Sequence, residues 1–131
     1  MIINNVNAKA VFKDDRYNAI GLAGSDHGKA MLVCLKPQQF IPVHAPGIDI
    51  FALVLEGHGI LRDQETAQRA APGDMLFVKA GLNRGILAET KMILWVIVSP
   101  PPGPNDHNLV EKLLKEGRWC DEAAIGGVAH A

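Results

Sequence analysis

Aromatic residues are scarce in this chain, at 5% of 131 residues, and no dense basic patch carries them. A surface that follows a phosphate backbone needs clustered Lys and Arg, usually interleaved with stacking rings. The formal charge of -1 and the scattered basic residues therefore exclude nucleic acid as a first-choice partner. Cysteine is nearly absent. Cys34 and Cys120 are far apart and form neither a CxxC pair nor a disulfide framework. Cys34 lies inside an apolar run, where a buried thiol is expected, and the sequence leaves the exposure of Cys120 open. Long hydrophobic runs are missing too. Met92 to Val98 is far too short to span a membrane. The opening MIINNVNAKAVF lacks the basic start and long apolar core of a secretory signal, so no membrane partner and a cytoplasmic location are expected.

What the chain does have is punctuation. With 48% hydrophobic residues it can build one modest core. Its apolar runs alternate with Gly, Pro and Asp at short intervals, most regularly from Pro42 to Gly85, which is the pattern of antiparallel strands closed by tight turns. Strands are expected at Ala8 to Phe12, Tyr17 to Leu22, Lys29 to Lys36, Phe40 to His44 and Ile48 to Glu56. Further strands are expected at Ile60 to Arg62, Ala67 to Ala71, Met75 to Lys79, Arg84 to Ala88 and Met92 to Ser99. Met31 to Leu35 is apolar on both faces, which calls for packing on each side. Pro72-Gly73-Asp74 is a turn with a mechanism, since proline presets φ and glycine accepts unusual dihedrals. The proline run from Pro100 closes the β region. Asn105 or Asp106 can cap a helix beginning near His107, with Leu109, Val110, Leu113 and Leu114 as its apolar stripe and Gly117 as its stop. The Ala- and Gly-rich tail from Ala123 is expected to be mobile. Many short strands and one terminal helix indicate an all-β sandwich or barrel in a single unit, with 1–104 as the β domain and 105–131 as its helix and tail.

The turn residues carry a more specific likeness. VLEG at Val54 to Gly57, PGDMLFV at Pro72 to Val78, Ala80-Gly81 and the prolines after the last strand recur in fixed order. In this the chain resembles the cupins, small jelly-roll barrels also described as a double-stranded β-helix. The cupin motifs run G-x5-H-x-H-x3-4-E-x6-G and G-x5-P-x-G-x2-H-x3-N, and their three histidines and glutamate usually hold a divalent metal. Set on those motifs, His44 keeps the first histidine position, while Pro46, Ile50 and Arg84 stand at the other three. Gln38 replaces the first glycine and Ala88 the closing asparagine. Pro46 and Ile50 offer no donor, and a cationic Arg84 repels a metal. The resemblance thus implies a barrel without its usual metal centre, and no cofactor is expected. Strand alternation turns Asp49 away from the side of Ile50, although a bulge would bring it into the pocket.

His44 and Arg84 are the leading candidates for chemistry, because the resemblance places both in the barrel mouth. An arginine can pair with a carboxylate or phosphate, and an imidazole can add a hydrogen bond. The expected ligand-binding set is His44, Asp49, Ala52 and Arg84. Ala52 enters because a small residue leaves room inside the barrel, with Met31, Ile50, Phe77 and Ile86 as apolar lining or ordinary core. The alternative for the polar pair is structural, Arg84 meeting a surface acid and His44 a backbone carbonyl. His27, His58 and His107 read as surface residues, and Trp95 as core or dimer interface. The leading reading is a metal-independent domain that binds a small polar or anionic metabolite, as a homodimer. A second is a small enzyme of isomerase, epimerase or decarboxylase type, using His44 and Arg84 as catalytic residues and at most a weakly bound metal. A third is a non-catalytic structural dimer.

Overall fold

The structure is a computed structural model and describes residues 1–102 and 108–119. The expected cap at Asn105 or Asp106, His107, Cys120 and the tail from Ala123 lie outside the described residues. Among the described residues nine strands form: β1 (Asn18–Gly24), β2 (Lys29–Leu35), β3 (Phe40–His44), β4 (Asp49–Glu56), β5 (Gly59–Arg62), β6 (Ala67–Ala70), β7 (Met75–Val78), β8 (Arg84–Ala88) and β9 (Met92–Ser99). They are followed by one helix, α1 (Asn108–Lys115). The strands make a five-stranded sheet in the order β1-β2-β9-β4-β7 and a four-stranded sheet in the order β3-β8-β5-β6. Every pairing is antiparallel. This is a jelly roll, and it agrees with the all-β reading of the sequence.

Alternation along each strand builds the core. Val33 and Leu35 of β2, Ile50, Ala52 and Val54 of β4, and Leu94, Val96 and Val98 of β9 turn to the four-stranded sheet. There they meet Leu61, Ile86 and Ala88. A fully buried side chain of this kind contributes about 1.5–3 kcal/mol. The doubly apolar β2 has the expected reason: Leu32 and Cys34 pack on its other side with Ile93, Ala10 and Phe12. Ala10 and Phe12 act there as a cover and not as a strand. The expected strand at Ala8 to Phe12 is instead a single 3-10 turn, Val6–Lys9, entered through a left-handed Asn5.

The turns follow their residue types. In Pro72-Gly73-Asp74, Gly73 adopts φ +97° and the Asp74 carboxylate accepts the Ala71 amide at 2.8 Å. At Gly57, φ is +77° and an added Cβ would overlap the Lys91 carbonyl, so only glycine fits. In the β5–β6 loop, Asp63 Oδ1 accepts the Glu65 and Thr66 amides at 2.9 and 2.8 Å. α1 lies against β3, burying Val110 and Leu113, and Gly117 ends it at φ +67°. Leu109, expected on the apolar stripe, is half exposed, because the buried stripe narrows to the positions that meet the barrel. Among the described residues no helix is long and apolar enough to cross a membrane.

Candidate functional site

A cavity of about 360 Å³ opens between the two sheets. Met31, Val33, Ile50, Val96 and Val98 line it from the five-stranded sheet, and Ile41, His44, Arg84 and Ile86 from the other. His44, Pro46, Ile50 and Arg84, the residues at the four metal-ligand positions of the motifs, all lie on its wall. The positions therefore converge, while the donors have changed. Among the described residues, no group of three or more His, Cys, Asp or Glu is placed to hold a metal. Pro46 and Ile50 supply no lone pair and Arg84 supplies positive charge, so the residues present do not fit the divalent metal of the motif.

β3 and β8 bring His44 and Arg84 together as register partners. His44 Nδ1 lies 2.7 Å from the Pro42 carbonyl. A carbonyl only accepts, so Nδ1 carries the hydrogen of this bond. Arg84 is 2% exposed. Its Nη2 donates to the Lys79 carbonyl at 2.8 Å and its Nε to the Leu82 carbonyl at 3.2 Å. The guanidinium thus ties down the β7–β8 turn. Its Nη1 is buried and, among the described residues, has no hydrogen-bond partner. Burial pulls the Arg84 pKa below the ordinary arginine value, and the negative Asp49 opposes that shift.

Asp49 and Ala52 are placed elsewhere. Asp49 Oδ1 accepts the Ala80 amide at 2.8 Å, which holds the same turn that Arg84 braces, and its side chain is not on the cavity wall. Ala52 is fully buried in the core, outside the cavity lining. Of the expected apolar lining, Met31, Ile50 and Ile86 contribute. Phe77 does not. It faces outward from β7, 42% exposed, against Phe51 with ring centroids 4.7 Å apart.

The wall also holds groups that the motifs did not indicate. Lys13, Arg16, Tyr17 and Lys29 line it, together with Val110 and Glu111 of α1. Arg16 Nη1 donates to both Glu111 oxygens at 2.7 and 2.8 Å, tying the start of β1 to the helix. Its guanidinium also stands over the Tyr17 ring, 4.8 Å from the centroid. Burial pushes the Tyr17 phenol up, against the opposing pull of Arg16. Among the described residues the cavity therefore gathers four cations, Lys13, Arg16, Lys29 and Arg84, against the single carboxylate of Glu111. Arg16 and Glu111 are 95 residues apart, so no local pattern could have found the pair.

The neighbours among solved structures agree with this architecture. The protein TT1209 of Thermus thermophilus is 28% identical, with a TM-score of 0.74, over 78% of this chain and 100% of its own. An RmlC-like cupin of Desulfovibrio desulfuricans is 26% identical, with a TM-score of 0.70, over 78% of this chain and 99% of its own. The chain belongs to the cupin superfamily. This cupin also superimposes on KdgF of a Halomonas species with a TM-score of 0.65 at 18% identity, over 72% of this chain and 89% of the other, a likeness of fold alone. No protein-family model and no curated protein matches the sequence.

Proposed function

We propose that this cupin binds a small anionic metabolite in its cavity through Arg84 and His44, without a conventional metal centre. The buried Arg84 carries the reading: it lines the cavity, and among the described residues its Nη1 has no hydrogen-bond partner. An unmet buried donor is costly, and a ligand acceptor relieves that cost. The excess of cations on the wall favours an anion over a neutral ligand. Calorimetric titration with a panel of small carboxylates and phosphates tests the reading. Saturable binding that is lost in folded Arg84→Gln is expected. Equal affinity in that variant overturns it.

One observation favours an enzymatic second reading. The Nδ1–Pro42 hydrogen bond orients the His44 ring at the cavity wall, and in the neutral form this bond leaves Nε2 as the basic nitrogen that a general base needs. Arg84 would then position a carboxylate and stabilise developing negative charge. Proton exchange into bound carboxylic acids, followed by NMR in deuterated water, should disappear in His44→Gln.

For assembly, we infer a homodimer through the outer face of the five-stranded sheet. Phe51, Phe77, Met75 and Trp95 are exposed there on neighbouring strands β4, β7 and β9. Such an apolar patch suits an isologous contact with a second copy. Light scattering on Phe77→Lys should show a smaller mass than the parent.

A further inference from the structure

We propose that the cavity takes an apolar-bodied monocarboxylate, such as a short aliphatic or single-ring acid, with its head at Arg84. This rests on the anion-pocket reading and narrows its ligand class. The head group follows from the hydrogen-bond state of Arg84. Nε and one N–H of Nη2 are held by the Leu82 and Lys79 carbonyls, and among the described residues Nη1 has no acceptor. A phosphate has three or four acceptor oxygens and calls for several converging donors, commonly a guanidinium fork. The donors left, both N–H of Nη1 and the second N–H of Nη2, match the two oxygens of a carboxylate better than the three or four of a phosphate. The other cations do not restore a phosphate cradle. Arg16 is engaged by both oxygens of Glu111, and Lys13 and Lys29 come from the N-terminal segment and β2, whereas Arg84 stands on the opposite sheet.

The body follows from the walls. Met31, Val33, Ile50, Ile86, Val96 and Val98 face the space beside Arg84 and carry no hydrogen-bonding side-chain group. A hydroxyl set against them would lose water and gain no partner, so a sugar acid is penalised at each hydroxyl that meets these six residues, while a hydrocarbon body gains at each carbon. The polar wall residues Lys13, Arg16, Tyr17, Asn18 and Glu111 come from the N-terminal segment, β1 and α1. A volume of about 360 Å³ is at the small end for ligand cavities and suits a single ring or short chain better than a fused or branched molecule. Lys13 and Lys29 add an electrostatic attraction that draws an anion toward the site.

The test is a calorimetric ranking on the wild-type protein, supported by one cavity-filling variant. The probes are hexanoate and phenylacetate, with gluconate and inorganic phosphate as polar anions and benzyl alcohol as a neutral body. Hexanoate or phenylacetate should bind at least tenfold more tightly than gluconate, phosphate or benzyl alcohol. Val96→Phe, which fills the cavity and leaves Arg84 in place, should weaken phenylacetate at least tenfold. Gluconate or phosphate binding as tightly as the apolar acids overturns the ligand class and leaves the anion pocket standing. Benzyl alcohol binding as tightly as phenylacetate overturns recognition of charge, and the anion pocket with it. Failure of every probe at millimolar concentration overturns both.

Discussion

Gly85 lies on β8 between the two cavity residues Arg84 and Ile86, and replacing it with alanine should loosen the segment that closes the barrel. A Cβ at this position would stand 2.6 Å from Val43 Cγ2, 2.9 Å from Trp119 Cζ3 and 3.2 Å from Val43 Cα. The Trp119 ring can swing away, but the Val43 backbone is fixed in β3. Val43 N–H also donates to the Trp119 carbonyl at 2.8 Å, so the new methyl pushes on the two residues that this bond joins. Overpacking of this kind costs about 1–3 kcal/mol. Losing the Val43–Trp119 bond would add about 1 kcal/mol. At about 3–6 °C per kcal/mol for a domain of this size, Tm should fall by about 6–24 °C. Gly47→Ala is the control, since an added Cβ there meets nothing within 4 Å and its φ is ordinary. It should leave Tm unchanged or slightly raised. The assay is thermal and urea unfolding by circular dichroism in a Trp95→Phe background, where Trp119 is the remaining tryptophan. Its emission should shift toward that of a solvated indole in Gly85→Ala. A variant within about 0.5 kcal/mol of its parent, the usual range for surface changes, and with unaltered Trp119 emission would refute the argument that Trp119 is seated on β8.

The convergence of the four motif positions can be tested by restoring their donors. Pro46→His, Ile50→Glu and Arg84→His together should create a site that retains Ni²⁺ through gel filtration, measured by elemental analysis, where the parent retains none. Metal at a hundredfold over its Kd should then raise stability by about 2.7 kcal/mol, and a folded triple variant that takes up no metal would count against the convergence. Asp63→Ala should cost about 1 kcal/mol in urea unfolding at neutral pH, through the loss of its loop hydrogen bonds. Burial works to raise the Asp63 pKa, but the amides of Thr66 and Glu65, the Thr66 hydroxyl and Arg62 outweigh it and hold the pKa below the usual value. That contribution is complete above about pH 4 and fades as pH falls through the depressed native value, so the variant and parent should converge in acid. Burial pushes the Cys34 thiol up, partly offset by a hydrogen bond with the Val11 backbone. Its contribution to stability is present below the ordinary thiol pKa and lost as pH rises past it. Mass-mapped alkylation of Cys34 at neutral pH should be at least about tenfold slower in the native protein than in urea, because the buried thiol reacts only on opening.

The sequence by itself determined where most strands and their turns lie along the chain, because that information is local. Pro72-Gly73-Asp74 dictates a turn through a preset φ, a flexible φ and a carboxylate that caps its own loop. The two apolar faces of β2 foretold packing on both sides. The mismatch of Pro46, Ile50 and Arg84 with metal ligation is likewise a matter of side-chain chemistry, legible before any fold. Tertiary structure decided what replaced the metal. Only the packing of β8 buries Arg84 and assigns two of its nitrogens to turn carbonyls. Only the meeting of the N-terminal segment with α1 places Arg16 against Glu111 beside that cavity. Ala52 and Phe77 are outside the cavity for the same reason, since which face of a strand lines an open space and which fills the core or meets solvent is set by the opposing sheet. Turn propensity acts over a few residues. Burial and charge at a site are sums over partners that are distant in sequence, and they exist only once the sheets have closed on each other.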